Sequence, residues 1–104
     1  AFRVPMLDVS VVDLTVQLSK TATAEDVNAA FDAAAGGDLR GILAVSHEEL
    51  VSSDFKGDPH SSIVDAPLTL MLSHDWAKVV SWYDNEWGFS CRMVDLITYM
   101  AARL

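Results

Sequence analysis

Val12, Leu14, Val16 and Leu18 alternate with Asp13, Thr15 and Gln17. A period of two predicts a β-strand with one buried apolar face and one polar face. Residues 1–4 have the character of an earlier strand's tail, ended by Pro5. The period then changes. Thr23 precedes Glu25 and Asp26, and Val27, Ala30, Phe31 and Ala34 follow at helical spacing. Thr23 is placed to cap the free N–H groups, and the two carboxylates suit the positive end of the helix dipole. Gly36-Gly37 predicts the helix end through a left-handed C′ residue. The run 41–45, Gly-Ile-Leu-Ala-Val, predicts a strand, and residues 51–55 a short one. Residues 57–60, Gly-Asp-Pro-His, predict a turn, and residues 62–65 a brief extension. Leu68, Leu70 and Leu72 alternate with Thr69 and Met71, again a strand pattern. Residues 73–75 fit a hairpin turn, returned by a strand over 78–83. From Trp87 to about Ala102 the pattern is helical, with Val94, Ile97 and Ala101 on one stripe and Met93, Leu96 and Met100 beside it.

The order is strand, helix, strand, several further strands, then a helix. This predicts an α+β domain with a mixed, largely antiparallel sheet, helices on one side and a C-terminal helix. A chain of 104 residues fits one domain or a piece of one. The formal charge is −8. Such a field repels phosphates, so nucleic acid and anionic membrane are not expected partners, and an anionic ligand needs a local cation. Cys91 is the only cysteine, which excludes an internal disulfide and fits a reducing compartment. No apolar run reaches the ~18–20 residues of a membrane span. The opening residues lack the apolar core of a signal peptide. The sequence opens on Ala1 and strand-like residues, so a segment of a longer protein is expected.

Residues 81–90, Ser-Trp-Tyr-Asp-Asn-Glu-Trp-Gly-Phe-Ser, hold an Asp-Asn-Glu run between large aromatic rings. They fall at a strand-to-helix junction. Two readings stand open. In one, Asp84 or Asn85 caps the helix, Glu86 complements its dipole and the tryptophans pack in the core. In the other, the Asn85 amide donates and accepts at once to a carboxamide ligand beside an aromatic wall. Cys91 has no local nucleophile signature and reads as a small packed hydrophobe. His47, His60 and His74 each neighbour a carboxylate, but no pair has metal-ligand spacing, so no metal site is expected. Residues 36–41, Gly-Gly-Asp-Leu-Arg-Gly, follow a helix rather than a strand and lack the phosphate-loop ending. Arg3 is a guanidinium beside a proline bend, suited to a phosphate or to a surface ion pair.

Several stretches in collinear order are similar to the phosphorylating glyceraldehyde-3-phosphate dehydrogenase family. They are Ala-Phe-Arg-Val-Pro at 1–5, Val-Ser-Val-Val-Asp-Leu-Thr at 9–15, Gly-Ile-Leu at 41–43, Val-Ser-Ser-Asp-Phe at 51–55, His-Ser-Ser-Ile at 60–63, the run 82–88, and Arg-Met-Val-Asp-Leu at 92–96. The resemblance covers essentially the whole chain. It implies the later part of a catalytic domain, with a terminal helix that packs on an N-terminal Rossmann domain. That Rossmann domain, the first part of the catalytic domain, the nucleophilic cysteine and the base histidine would all lie outside the sequence. It implies oxidative phosphorylation of glyceraldehyde 3-phosphate with NAD or NADP, inorganic phosphate as co-substrate, and a homotetramer. By position it makes Arg3 the ligand of the substrate phosphate and Asn85 the partner of the nicotinamide carboxamide. Tyr83 becomes the ring beside the nicotinamide, and Glu86 a supporting residue behind them. Cys91 does not correspond to the nucleophile, and this chain alone is expected to be inactive. Met6-Leu7-Asp8 and Phe89 depart from the family pattern.

The resemblance implies a cytoplasmic enzyme, or a plastid one for a photosynthetic form. An erythrose-4-phosphate dehydrogenase segment is the nearest enzyme alternative. Tyr83 favours the glyceraldehyde enzyme, because the erythrose enzyme often carries cysteine there. A stand-alone, non-catalytic binding or oligomerisation module is the alternative of a different class.

Overall fold

The computed structural model describes residues 2–104. Its strands are β1 (Ser10–Gln17), β2 (Leu43–Ser46), β3 (Ser62–Asp65), β4 (Leu70–Met71) and β5 (Trp76–Tyr83), and its helices are α1 (Ala24–Gly36) and α2 (Trp87–Ala101). One mixed sheet has the order β1-β5-β3-β2, with β4 also paired to β5. The pairs β1·β5, β3·β5 and β4·β5 are antiparallel, and β2·β3 is parallel. The α+β class with a mixed, largely antiparallel sheet and a C-terminal helix is therefore the observed one.

β5 is the spine of the sheet. β1 runs along its whole length on one edge, while β3 and β4 share the other. Its residues Ala77, Val79, Val80 and Trp82 are all buried, as expected for a strand covered on both faces. The alternation divides them between two cores. Val79 packs with Leu43 and Val64 beneath Val27, Phe31, Ala34 and Ala35 of α1. Val80 and Trp82 point the other way, to Val9, Phe55 and Ile63. Phe55 stacks on Trp82 at 5.6 Å between ring centres, and the indole Nε1 donates to the buried Asp65 carboxylate at 2.9 Å.

α1 forms where the sequence predicts it, and for the expected reason. Asp26 N donates to Thr23 Oγ1, and Asp26 Oδ2 accepts from Thr23 N, a reciprocal capping box. The half-buried Asn28 then ties the helix to the β3–β4 connection, donating to Ala66 O and accepting from Thr69 Oγ1. The helix end differs from expectation. Gly37 sits at φ −109, and the first left-handed glycine after the helix is Gly41, at φ 78.

Four other expectations are corrected. Residues 2–4 carry no regular structure, and Ala1 lies outside the described residues. Residues 51–55 form a turn of 3-10 helix (Ser52–Phe55) rather than a strand, because Asp54 accepts from Val51 N and closes a local cap. Leu68 ends a second 3-10 turn (Ala66–Leu68), so its alternating run leaves only the two residues of β4 in the sheet. Proline at the head of that turn presets the bend. The apolar face of β1 is a strand face, but Val12 and Leu14 are 45% and 47% exposed, since α1 packs over β2, β3 and β5 and stops short of β1. The apolar stripe of α2 is likewise uncovered: Met93, Val94, Leu96, Ile97 and Met100 are all exposed, and only Gly88 is buried on that helix.

Candidate functional site

The 82–88 run occupies the predicted strand-to-helix junction, and Asp84 and Asn85 take different parts in it. Asp84 is the cap. Its Oδ1 accepts from Glu86 N at 3.0 Å and Trp87 N at 2.9 Å, and its Oδ2 accepts from Gly57 N at 2.8 Å. One carboxylate thus seats the first turn of α2 and pins the 57–60 turn to it. Burial alone would push the Asp84 carboxyl up. The Gly57 and Trp87 amides, the Asp8 side chain and the Glu86 amide outweigh that and hold it below the usual carboxylate range. Gly88 completes the joint, because a Cβ there would lie 3.0 Å from His60 O. A larger residue fits there only if helix or turn gives way by a few tenths of an ångström.

With the cap assigned to Asp84, Asn85 is released to face elsewhere. It is exposed, and its Oδ1 accepts from Val9 N at 3.0 Å and from Ser10 Oγ at 3.1 Å. A backbone N–H can only donate, so the atom facing Val9 is the amide oxygen. Both acceptor directions of Asn85 are consequently engaged, and its Nδ2 has no partner among the described residues. Of the two polar ends that the ligand reading needs, the oxygen is thus engaged within the chain and the Nδ2 donors are left.

Val9 carries a cost for this arrangement. It sits at φ 85, the only non-glycine with positive φ among the described residues. A β-branched residue there is strained by roughly 1–2 kcal/mol. Two contacts offset the strain: its side chain is buried in the second core, and its N–H also reaches Asp8 Oδ1 at 2.9 Å. Strain of this kind persists where the surroundings over-determine it.

Tyr83, Asn85, Gly88, Phe89, Ser61 and Arg92 line one cleft of about 330 Å³. Its size is at the lower end of small-molecule sites. Tyr83 is the last residue of β5 and pairs with Ser10, so the same register step that aligns β1 brings Ser10 under Asn85. The structure thus brings together Tyr83 and Asn85. Arg3 lies elsewhere, exposed in a cleft formed by Arg3, Val4, Pro5, Met6 and Leu7, and it has no ion pair among the described residues. The Glu86 side chain is exposed and accepts no hydrogen bond among the described residues.

Arg92 and Ser61 were not singled out from the sequence. Arg92 donates to Ser61 Oγ and Gly41 O, both at 3.2 Å, and pairs with Asp95 one turn on at 2.7 Å. The i,i+3 Arg-Asp spacing was visible, but not that it would line the Tyr83 cleft. Cys91 lies in a different shallow cleft with Trp87, Ser90, Val94 and Asp95, which no histidine lines. Each histidine has a carboxylate partner: His47 meets Asp32 of α1 at 3.0 Å, His60 meets Asp58 at 2.7 Å, and His74 meets Asp75 at 3.7 Å. Among the described residues no three His, Cys, Asp or Glu side chains converge in a way that could hold a metal ion, and no helix is long and apolar enough to cross a membrane.

Residues 1–85 match the family model described as glyceraldehyde 3-phosphate dehydrogenase, C-terminal domain. Similar proteins include glyceraldehyde-3-phosphate dehydrogenase 1 of Schizosaccharomyces pombe, 55% identical over 99% of this chain and 31% of the relative. The cytosolic glyceraldehyde-3-phosphate dehydrogenase of Pinus sylvestris is 57% identical over 98% of this chain and 30% of its own length. That of Schistosoma mansoni is 58% identical over 96% and 30%. The chain spans about 30% of the length of these relatives. The family-model match and the similarity along nearly the whole chain show one family, and this chain belongs to it: it is a C-terminal-domain segment of the glyceraldehyde-3-phosphate dehydrogenases.

Proposed function

We propose that this chain supplies the nicotinamide and substrate-phosphate contacts of a phosphorylating glyceraldehyde-3-phosphate dehydrogenase. The observation that carries the reading is the cleft in which Tyr83 and the unpaired Asn85 amide nitrogen stand together. A bound NAD or NADP supplies hydride acceptance at its nicotinamide ring. The residues fit a planar ring with a carbonyl substituent: Tyr83 offers an aromatic wall, and the Asn85 Nδ2 offers aimed N–H donors. The chain can hold that end of the cofactor only; it carries no Gly-rich dinucleotide loop. Arg3 is the phosphate ligand in this reading, because its fork of donors is exposed and free of carboxylates in an otherwise acidic chain. In this reading Glu86, exposed beside Asn85, is a supporting charge next to the cleft.

The nucleophile and base come from outside this chain, so the 104 residues alone are inactive. The uncovered stripe of α2 and the exposed Val12 and Leu14 face fit packing on a Rossmann domain and on other subunits of a homotetramer. The cytosolic relatives favour a cytoplasmic enzyme, with a plastid form as the photosynthetic counterpart.

The test uses a full-length dehydrogenase carrying this segment. Asn85→Ala is expected to lower kcat/KM through misorientation of the nicotinamide, and an unchanged kcat/KM would remove Asn85 from the site. Arg3→Ala is expected to lose heavily with the phosphorylated aldehyde and little with an unphosphorylated one. Equal losses would take Arg3 out of the phosphate site.

A further inference from the structure

Residues 2–7 carry no regular structure, and all of them but Met6 are exposed. Their backbone hydrogen bond among the described residues is internal, Met6 N donating to Val4 O at 2.9 Å. That bond does not fix Arg3 relative to the sheet. The ring before it does. The Lys78 ammonium of β5 lies 5.6 Å from the centre of the Phe2 ring, within the range of cation–π attraction. Lys78 Nζ is held in turn by Asp13 Oδ2 of β1 at 3.2 Å. In the β1·β5 register Asp13 faces Val80 and Lys78 faces Thr15, so the two charges lie on a diagonal of one sheet face. Lys78 shares that face with Val80 and Trp82, turned away from α1. We propose that Lys78, backed by Asp13, anchors the Phe2 ring and thereby positions Arg3 for the substrate phosphate. The inference rests on the proposed reading of Arg3 as the phosphate ligand.

A guanidinium on an exposed, irregular stretch must be ordered when an anion binds, and that ordering weakens binding. An anchored ring one residue before it removes part of the cost in advance. Pro5, two residues after it, fixes its own φ and stiffens the other side. The Lys78 and Asp13 side chains are 33% and 23% exposed, so the ammonium is partly desolvated, which strengthens its attraction to a ring. Its charge is already matched by the Asp13 carboxylate. Lys78 therefore holds the ring, and the phosphate is left to Arg3.

The experiment measures KM and kcat in a full-length dehydrogenase carrying this segment, with glyceraldehyde 3-phosphate and with unphosphorylated glyceraldehyde. Lys78→Met keeps the apolar stem and removes the cation. It is expected to raise KM for the phosphorylated aldehyde by about three-fold, with kcat unchanged. Phe2→Leu keeps every charge and loses the ring, and the same rise is expected. It also carries the test if Lys78→Met fails to fold. Lys78→Arg and Phe2→Tyr keep a cation over a ring and are expected to retain the original KM. The double variant Lys78→Met with Phe2→Leu is expected to be no worse than either alone, because the two act through one contact. Neither change is expected to alter kcat/KM for unphosphorylated glyceraldehyde. If Arg3→Ala loses equally with both aldehydes, the phosphate reading itself fails. If Arg3→Ala discriminates between them but Phe2→Leu leaves KM for the phosphorylated aldehyde unchanged, the reading stands and the anchor is overturned. A rise in Lys78→Met alone reports a lost charge, and equal rises with both aldehydes report a general loss of structure; either result overturns the anchor.

Discussion

Replacing Asp84 tests whether one carboxylate holds the candidate site together. In Asp84→Ala three acceptor contacts vanish at once, to Glu86 N, Trp87 N and Gly57 N. Loss of a helix cap costs about 1 kcal/mol. Gly57 is exposed, so water replaces the lost acceptor there and its net cost is about 1 kcal/mol rather than the full penalty of an orphaned buried group. The sum is about 2 kcal/mol, or roughly a 30-fold larger opening equilibrium for this joint. Hydrogen exchange reads it directly: the Gly57, Glu86 and Trp87 amides are expected to exchange about that much faster, while the α1 amides do not change. Asp84→Asn separates the two halves. It can retain the oxygen that caps α2 while setting an NH2 group against the Gly57 N–H, so only the Gly57 amide is expected to accelerate strongly. Unchanged exchange at all three amides in Asp84→Ala would refute the assignment of Asp84 as the joint. The pH dependence has a definite sign. The Asp84 carboxyl lies below its ordinary value when folded, burial being outweighed by the amides and the Asp8 side chain. Its contribution is therefore complete above the unfolded-state value and is lost as pH falls through the lower folded-state value. Exchange at Gly57 is expected to lose its protection only in that acid range, and protection that fades between neutral pH and pH 5 would contradict the assignment.

Gly88→Ala places a methyl 3.0 Å from His60 O, so helix or turn must shift. A cost of about 1–3 kcal/mol is expected, seen in thermal unfolding, together with a raised cofactor KM because Gly88 lines the cleft. An unchanged Tm and KM would show that the contact yields freely. Trp82→Phe keeps most of the stack on Phe55 but leaves buried Asp65 without its indole donor. Urea unfolding is expected to show a loss of about 1–3 kcal/mol, and a loss within error would mean that Asp65 finds another donor.

Local signals were readable from the sequence wherever they were self-contained. Thr23, Glu25, Asp26 and the two glycines delimit α1 because a cap and its helix lie within four residues of each other. The hairpin into β5 and the extent of α2 were legible for the same reason. Misreadings came where a local hydrogen bond competed with a pattern: Asp54 turned 51–55 into 3-10 helix, and the proline turn consumed Leu68. Burial was the weaker inference. The stripes on β1 and α2 have the right periods, but periodicity states that a face is apolar, not what covers it.

The sequence by itself determined the element types, the α+β class, the acidic surface, the position of Tyr83 and Asn85 at a strand-to-helix junction, and the family. Only the tertiary structure decided which residue of Asp84-Asn85 caps and which faces the cleft. That choice depends on Gly57 and Val9, 27 and 76 residues away respectively. It also revealed Arg92 and Ser61 in the cleft wall, and the strained Val9 beneath Asn85. The physical reason is the same in each case. A hydrogen-bonding side chain has several partners open to it in sequence, and only the register of β1 on β5 and the seating of α2 on the 57–60 turn choose among them.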